Sequence, residues 1–344
     1  MANPHWLLRF TLFTILLTGH GTAMSADMTK FDWNATESAP DIYPMKIING
    51  TFRYHGAPNG EGLYVPSGGR INGGWGLMIS SHITGPDLKP LPDKLDITFF
   101  SYMEDTFYRG SFDLPYDKIL SLFQTAAEQD KNKDKDRRPD YSLMVGVAPG
   151  GTVAVWLRGD GIKEVFFGQA KKVDLDLAKE FGVPITNRKE YVEKSLKGAL
   201  TPEILASIRK NGIPFQQWAQ YRTLYHWVPT FPVSHPPEDF AMGFFNGESG
   251  RFNFPLEPVF TAHPRPVPNR IEFHYAVNGV GMRDFYILHF DEGEMLAAFA
   301  RLGAHQQPLQ LEFDPKAPKE LTQVRLRNDK EVIQLKKFTV KKID

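Results

Sequence analysis

Residues 91–100 read LPDKLDITFF, and residues 267–276 read VPNRIEFHYA. The two stretches align without a gap, and in each a proline turn leads into alternating apolar and polar residues. Successive side chains of a β-strand point to opposite faces, so Leu95, Ile97 and Phe99 share one face of a strand. In the second stretch, Ile271, Phe273 and Tyr275 form the same kind of face. The chain therefore contains two similar strands at an offset of 176 residues.

The similarity continues beyond these strands. At the same offset, Ile119, Leu120, Leu122 and Phe123 align with Met295, Leu296, Ala298 and Phe299, with the spacing of an amphipathic helix in each copy. A hairpin pattern follows in both, and the copies end on KKVD at 171–174 and KKID at 341–344. Chance similarity among β-hairpins is one explanation, because identities are few. The shared order of turn, strand, helix and hairpin favours an internal duplication.

This order predicts the fold class. We predict an α+β fold of two related modules, residues 31–177 and 237–344, each an antiparallel sheet with a helix packed on one face. The 26 prolines and 29 glycines lie between short β-rich runs, which favours many strands and turns over a helical bundle.

Residues 178–236 are predicted to be a helical connector with a proline-rich exit. Thr201 and Pro202 provide an N-cap and a first-turn proline, and Gly212 ends that helix. Pro214 is predicted to begin a second helix. Four further prolines then predict a stiff, extended passage into the second module.

Residues 1–26 have the layout of a secretory signal peptide. Arg9 precedes an apolar run at 10–17, and small residues allow cleavage after Ala23 or Ser25. The apolar run is shorter than the roughly 20 residues that span a bilayer. We therefore expect a periplasmic protein with a cleaved signal peptide and no membrane span. Lipid anchoring is not expected, because the chain has no cysteine to carry a lipid.

Charge and cysteine content exclude further classes. The chain has 40 basic and 40 acidic side chains, so it lacks the basic excess that favours nucleic acid or an anionic membrane surface. Without cysteine, an exported protein has no disulfides. Its stability must then come from burial.

The sequence carries no recognised catalytic signature: no HExxH motif, Walker loop, nucleophile elbow or GxGxxG motif before a helix. Residues 130–136 imitate a calcium loop, but interleaved lysines would repel the ion. His289, Asp291, Glu292 and Glu294 could bind a metal, although acidic residues at a helix start also complement the helix dipole. We therefore predict a protein that is not an enzyme and has no catalytic residue, cofactor or metal site.

The candidate binding residues are an aromatic and basic group in the connector: Trp218, Tyr221, Arg222, Tyr225 and Trp227. The first four have a spacing that would place them on one face of a helix. Tryptophan, tyrosine and arginine are enriched at hot spots of protein interfaces, so these five are the predicted partner-binding residues. Two other interpretations stay open. The face could dock the connector onto the modules, or it could form a platform for a sugar.

Four motifs resemble a known family: Phe31-Asp32-Trp33, Pro92-Asp93, Phe112-Asp113-Leu114-Pro115 and VAPGGTVAVW at 147–156. They are similar to the proteobacterial domain-of-unknown-function family 2931. The resemblance covers residues 31–231, and the Pro-Gly-Gly followed by Val-x-Val-Trp is its most specific part. Members are often described as lipoproteins, but His20 stands where the lipoprotein pattern requires cysteine.

The resemblance also implies a function. Some members look like immunity proteins encoded beside antibacterial phospholipase effectors of the type VI secretion system. By this resemblance, the chain would neutralise a cognate secreted lipase effector by direct binding, with no catalytic residue of its own. The alternative is a periplasmic module that binds carbohydrate or cell-envelope polymer through its aromatic residues.

Overall fold

The computed structural model describes residues 29–130, 141–232, 237, 239–256, 258–277, 282–304, 308–314 and 322–343. The predicted signal peptide lies outside the described residues, as do residues 131–136 of the calcium-like loop. Within the described part of the chain, no helix is both long enough and apolar enough to cross a membrane.

The first half of the chain contains eleven described strands and one long helix. The strands are β1 (Lys30–Phe31), β2 (Trp33–Ser38), β3 (Met45–Tyr54), β4 (Gly62–Tyr64), β5 (Lys89–Pro90), β6 (Pro92–Ser101), β7 (Thr106–Asp113), β8 (Tyr141–Ala148), β9 (Thr152–Arg158), β10 (Ile162–Gln169) and β11 (Lys171–Val173). The helix α1 (Tyr116–Asp130) follows β7.

The connector contains four short helices, and the second half again combines strands with helices. The connector helices are α2 (Leu177–Phe181), α3 (Arg188–Lys197), α4 (Pro202–Asn211) and α5 (Gln217–Gln220). The later elements are β12 (Trp227–Thr230), β13 (Asp239–Phe244), β14 (Ser249–Asn253), α6 (Pro258–Ala262), β15 (Pro268–Val277), β16 (Met282–Phe290), α7 (Glu292–Gly303), β17 (Leu309–Asp314), β18 (Gln323–Arg327), β19 (Val332–Leu335) and β20 (Phe338–Ile343).

The two halves have the same strand order. In the first half, one sheet has the order β11-β7-β6-β3-β4, and four strands of another have the order β2-β8-β9-β10. In the second half, the corresponding orders are β20-β16-β15-β13-β14 and β12-β17-β18-β19. Among the described strands, each half has one parallel pair at the same place in the order, because β2 runs parallel to β8 and β12 runs parallel to β17. The α+β fold class is confirmed.

One sheet passes through both halves. The strands β2-β8-β9-β10 continue into β14-β13-β15-β16-β20 and form a nine-stranded sheet. The two halves meet in this sheet through one residue pair, Ile162 of β10 and Ser249 of β14. Each half keeps its own core, with Phe123 of α1 buried in the first and Phe299 of α7 buried in the second.

The connector differs in part from its prediction. The helix α4 matches it, since the Thr201 hydroxyl accepts a hydrogen bond from the Ile204 backbone and Gly212 is the C-cap. The predicted helix from Pro214 through Tyr225 is wrong, because α5 ends at Gln220. Backbone pairing with the second half competes with the helix there. Tyr225 pairs with Arg265, and β12, within the predicted connector, joins β17.

Candidate partner-binding surface

The two halves differ most in one connection. From β4 to β6 the first half uses 27 residues (65–91), whereas from β14 to β15 the second half uses 14 (254–267). We call residues 65–88 the long loop. Because the second half builds the same strand order with a connection thirteen residues shorter, the fold does not require this extra length. Long ordered loops of this kind commonly carry function.

The long loop is fixed at its start by the first half and by the connector. Ile71 and Met45 exchange two backbone hydrogen bonds of 2.8 and 2.9 Å. The Arg70 guanidinium donates to the carbonyls of Ser195 and Gly198, at 3.0 Å each, at the C-terminal end of α3. The loop therefore begins in a defined position.

A tryptophan and a glycine fix the middle of the long loop against both halves. The Trp75 ring packs edge-on against Trp156 of β9, with centroids 4.9 Å apart. Gly76 crosses the β13–β14 turn so closely that a Cβ on Gly76 would lie 2.3 Å from the Gly247 Cα. The Trp156 indole donates to the Asn246 carbonyl at 3.1 Å in the same turn. The loop is thus packed where the two halves meet.

A buried carboxylate holds the next residues. The Ile79 N–H donates to the Glu37 carbonyl at 3.1 Å, and the Ser80 hydroxyl donates to the Glu37 carboxylate at 2.7 Å. The Thr36 hydroxyl donates to the Ser80 carbonyl at 2.6 Å. Burial raises the pKa of Glu37 above its ordinary value, although the Ser80 hydrogen bond opposes this shift. These bonds tie the loop to the outer edge of β2.

The long loop exposes several large apolar side chains. They are Leu77, Met78, Ile79, Ile83 and Leu88, and we call these five residues the apolar loop surface. Ile83 is 83% exposed and Leu77 is 56% exposed. Between positions 71 and 86 the sequence contains no lysine, arginine, aspartate or glutamate. Several large apolar side chains exposed in one ordered loop make that loop a candidate interaction site.

The predicted partner-binding residues lie mostly inside the protein. Trp218 is 1% exposed, and its ring packs against Tyr43 at 5.7 Å and against Trp75 at 6.4 Å between centroids. Tyr221 is also buried and stacks on Phe245 at 5.6 Å. Trp218 therefore packs against the buried side of the long loop, through its contact with Trp75.

The other two aromatic residues belong to the second core. Trp227 is buried, and its indole donates to the Pro266 carbonyl at 3.1 Å. Tyr225 is half-buried and packs against Phe299 at 5.5 Å between ring centroids. The predicted helical face does not form, because these residues follow the end of α5. The packing interpretation agrees with this burial, whereas partner binding by this group stays a prediction.

Arg222 is exposed, but it is engaged within the chain. Its guanidinium donates to the Glu164 carboxylate at 2.6 Å and lies 4.6 Å from the centre of the Phe167 ring. Burial raises the pKa of Glu164 to about 7, while Arg222 opposes the shift and nearby Glu248 adds to it. Arg222 thus joins the connector to β10.

The acidic residues at the start of α7 have structural partners. The Asp291 carboxylate caps the helix by accepting from the Glu294 N–H at 2.9 Å. The Glu294 carboxylate accepts from the backbone of Lys336 at 3.0 Å and of Lys337 at 2.7 Å. Across the described ranges, no three histidine or acidic side chains are grouped as metal ligands.

The sequence analysis missed the long loop, although two signals indicated it. One signal is the unequal spacing between aligned elements in the two halves. The other is the uncharged run from 71 to 86, which contains Leu77, Met78 and Ile79 without a helical or strand period. Both signals lie in length and composition, and neither forms a chemical motif or an aromatic cluster.

A family profile matches residues 20–216, which is more than half of the chain. The chain belongs to the family described as Protein of unknown function (DUF2931). The DUF2931 match includes the first half, the long loop and the connector as far as Gln216, and it ends before β12. No curated protein and no solved structure shows a significant match to the chain.

Proposed function

We propose that this DUF2931 protein is a non-enzymatic periplasmic binding protein that neutralises a type VI secreted antibacterial phospholipase by direct binding. The apolar loop surface carries the proposal. It is exposed, it is anchored at several points, and the fold of the second half is built without an equivalent. The family resemblance supplies the class of partner.

The chemistry of a phospholipase suits this surface. An enzyme that hydrolyses membrane lipids must admit acyl chains, so the entrance to its active site is apolar. Burying an aliphatic side chain fully contributes about 1.5–3 kcal/mol, and Ile83, which is 83% exposed, can contribute most of this on binding, while the partly buried residues contribute less. The loop is already held by Ser80, Arg70 and Trp75, and this reduces the conformational entropy that binding would cost.

The burial of the tryptophans gives less support to carbohydrate binding. Each of the five tryptophans among the described residues is buried or half-buried. Sugar recognition by stacking needs an exposed aromatic face. Because Trp218 and Trp227 of the connector are buried, we propose that the partner contacts the long loop and not the aromatic residues of the connector.

The direct test is inhibition of the enzyme. The signal-free protein would be titrated into the phospholipase encoded beside its gene, with hydrolysis of phospholipid vesicles as the readout. We expect hydrolysis by the phospholipase to fall to the background rate at a one-to-one molar ratio of the two proteins. Unchanged hydrolysis at a tenfold excess would contradict the proposal. If the protein sedimented with vesicles in the absence of enzyme, the apolar loop surface would bind lipid, and this would also contradict the proposal.

A further inference from the structure

In the first half, the long loop fills the space between β4 and the residues before β6. The His82 Nδ1 lies 3.4 Å from the Tyr64 hydroxyl of β4. A Cβ on Gly85 would lie 3.6 Å from the Lys89 Cε and 4.0 Å from the Leu63 Cδ1. Residues 82–85 are therefore inserted between the β4 edge and Lys89.

The second half has the same frame without this insert. At the 176-residue offset, Lys89 corresponds to Arg265, and β14 has the place of β4 in the strand order. A cavity of about 500 Å³ opens there, and its lining includes Leu224, Phe252, Leu256 and Arg265. A neighbouring cavity of about 240 Å³ shares Lys163, Arg251 and Phe252 with it. We call the two cavities together the open groove.

A strand edge borders the open groove. All five residues of β14 pair with β13, but the pairing between β14 and β10 is confined to Ser249. The edge of β14 beyond Ser249 faces the groove. Strand edges of this kind accept an extended peptide, whose backbone continues the sheet.

The charges of the groove favour an acidic occupant. Lys163 forms no ion pair with a described residue. The Arg251 guanidinium donates to the Asp239 carboxylate at 3.3 Å, but its side chain is 58% exposed and can also reach an occupant of the groove. The Glu248 carboxylate accepts from the Glu164 backbone at 2.9 Å and from the Asn246 amide at 3.1 Å. Across the two cavities, one lysine and two arginines line the groove together with two carboxylates, Glu248 and Asp160, so the lining keeps an excess of positive charge.

The strand register identifies which groove residue replaces Tyr64. Tyr64 lies opposite Thr51, which lies opposite Asp96. Arg251 lies opposite Ala241, which lies opposite Glu272. Because Asp96 and Glu272 are separated by 176 residues, Arg251 has the position of Tyr64. A side chain placed like His82 would meet an arginine in the second half.

We propose that the open groove binds an extended segment of the partner protein, with an acidic residue at the position of His82 and an apolar residue after it. This inference rests on the proposed function, because it assumes a protein partner. It adds a second contact, on the half of the chain that lies outside the apolar loop surface. The acidic side chain pairs with Arg251, and the following apolar side chain packs against the apolar lining.

The chain's own loop supplies the probe. A fluorescent peptide with the sequence of residues 77–85, LMISSHITG, would carry His82→Glu, and a matched peptide would carry His82→Lys. Anisotropy with the full signal-free protein should show saturable binding of the first peptide, at least about tenfold tighter than the second. Arg251→Glu should reverse this order. Lys189→Glu, at an exposed position of α3, is the control and should leave it unchanged.

Two outcomes would contradict peptide binding in the open groove. One is no saturable binding of either peptide up to about 1 mM. The other is equal affinity for the two peptides that the Arg251→Glu substitution does not change. The assay contains no phospholipase, so it separates the two proposals. Saturable, Arg251-dependent peptide binding by a protein that fails to inhibit the enzyme would support the groove and reject the phospholipase as partner.

Discussion

Trp33 and Trp227 occupy equivalent positions in the two halves. Each is buried, and each donates its indole N–H to a proline carbonyl, Pro90 at 3.2 Å for Trp33 and Pro266 at 3.1 Å for Trp227. Each of these prolines stands two residues before the proline that begins the aligned strand. Trp227 therefore has the same structural role in the second core that Trp33 has in the first.

This equivalence predicts matched losses of stability. Trp33→Phe and Trp227→Phe each leave a proline carbonyl without its donor and remove ring volume from a core. We expect each to lower the free energy of unfolding by about 1–3 kcal/mol. Urea unfolding followed by circular dichroism would measure this. If Trp227→Phe kept full stability but lost affinity for the partner, the assignment of Trp227 to the core would be wrong.

The crossing of Gly76 and Gly247 predicts a specific sensitivity to a methyl group. Gly76 has φ of 77°, and its Cβ would overlap the Gly247 backbone. Gly56 has a similar φ of 67° with no atom within 4 Å of such a Cβ. Gly76→Ala should therefore lower the free energy of unfolding by at least about 1 kcal/mol more than Gly56→Ala. Equal losses in thermal or urea unfolding would show that the close crossing is absent.

Glu164 predicts a pH dependence. Its pKa is about 7 in the folded protein, against an ordinary value of 4.5, so the unfolded chain releases this proton first as the pH rises. Stability from this group is complete below pH 4.5 and is lost as the pH rises toward 7. The glutamine of the Glu164→Gln variant does not titrate, so this variant does not lose stability in that way. The free energy of unfolding of the variant minus that of the wild type should therefore rise by about 2–3 kcal/mol between pH 4.5 and 8.

Urea unfolding of both proteins at the two pH values would measure that difference. Glu61→Gln, at an exposed position, serves as the control variant. A difference between Glu164→Gln and the wild type that stays constant with pH would mean that the Glu164 carboxyl titrates normally in the folded protein.

The absence of lysine, arginine, aspartate and glutamate from residues 71–86 predicts weak salt dependence of partner binding. Opposite charges at an interface are screened as ionic strength rises, whereas apolar burial is not weakened in this way. We expect the affinity for the phospholipase to change by less than about tenfold between 50 and 500 mM sodium chloride. Calorimetric titration at the two salt concentrations would measure it. A loss of a hundredfold would move the main contact to charged residues.

Local sequence patterns predicted those elements whose structure depends on residues that are neighbours in sequence. The alternation at Leu95, Ile97 and Phe99 predicted β6, and the cap at Thr201 with the glycine at Gly212 predicted α4. A strand face and a helix cap each depend on residues that are neighbours in sequence. The α+β class follows from such patterns.

Non-local contacts explain what was missed. The pattern from Trp218 to Tyr225 has helical spacing, but pairing of Tyr225 with Arg265 and of β12 with β17 ends the helix early. The nine-stranded sheet was not predicted, because one residue pair, Ile162 and Ser249, joins its two parts. The apolar loop surface depends on anchors such as Glu37 and Trp156, which lie far from the loop in sequence.

Substitution of Leu77 and Ile83 tests most directly whether the apolar loop surface contacts the partner. The affinity of the phospholipase would be measured for the wild type, for Leu77→Asp with Ile83→Asp, and for the control Val183→Asp. Val183 is an exposed apolar residue of the connector, 42% exposed, outside the long loop. We first expect unchanged unfolding curves, because all three side chains face solvent.

We expect the double variant to lose at least about a hundredfold in affinity, while the Val183→Asp variant binds like the wild type. Wild-type affinity in a folded Leu77→Asp, Ile83→Asp protein would show that the apolar loop surface does not contact the partner.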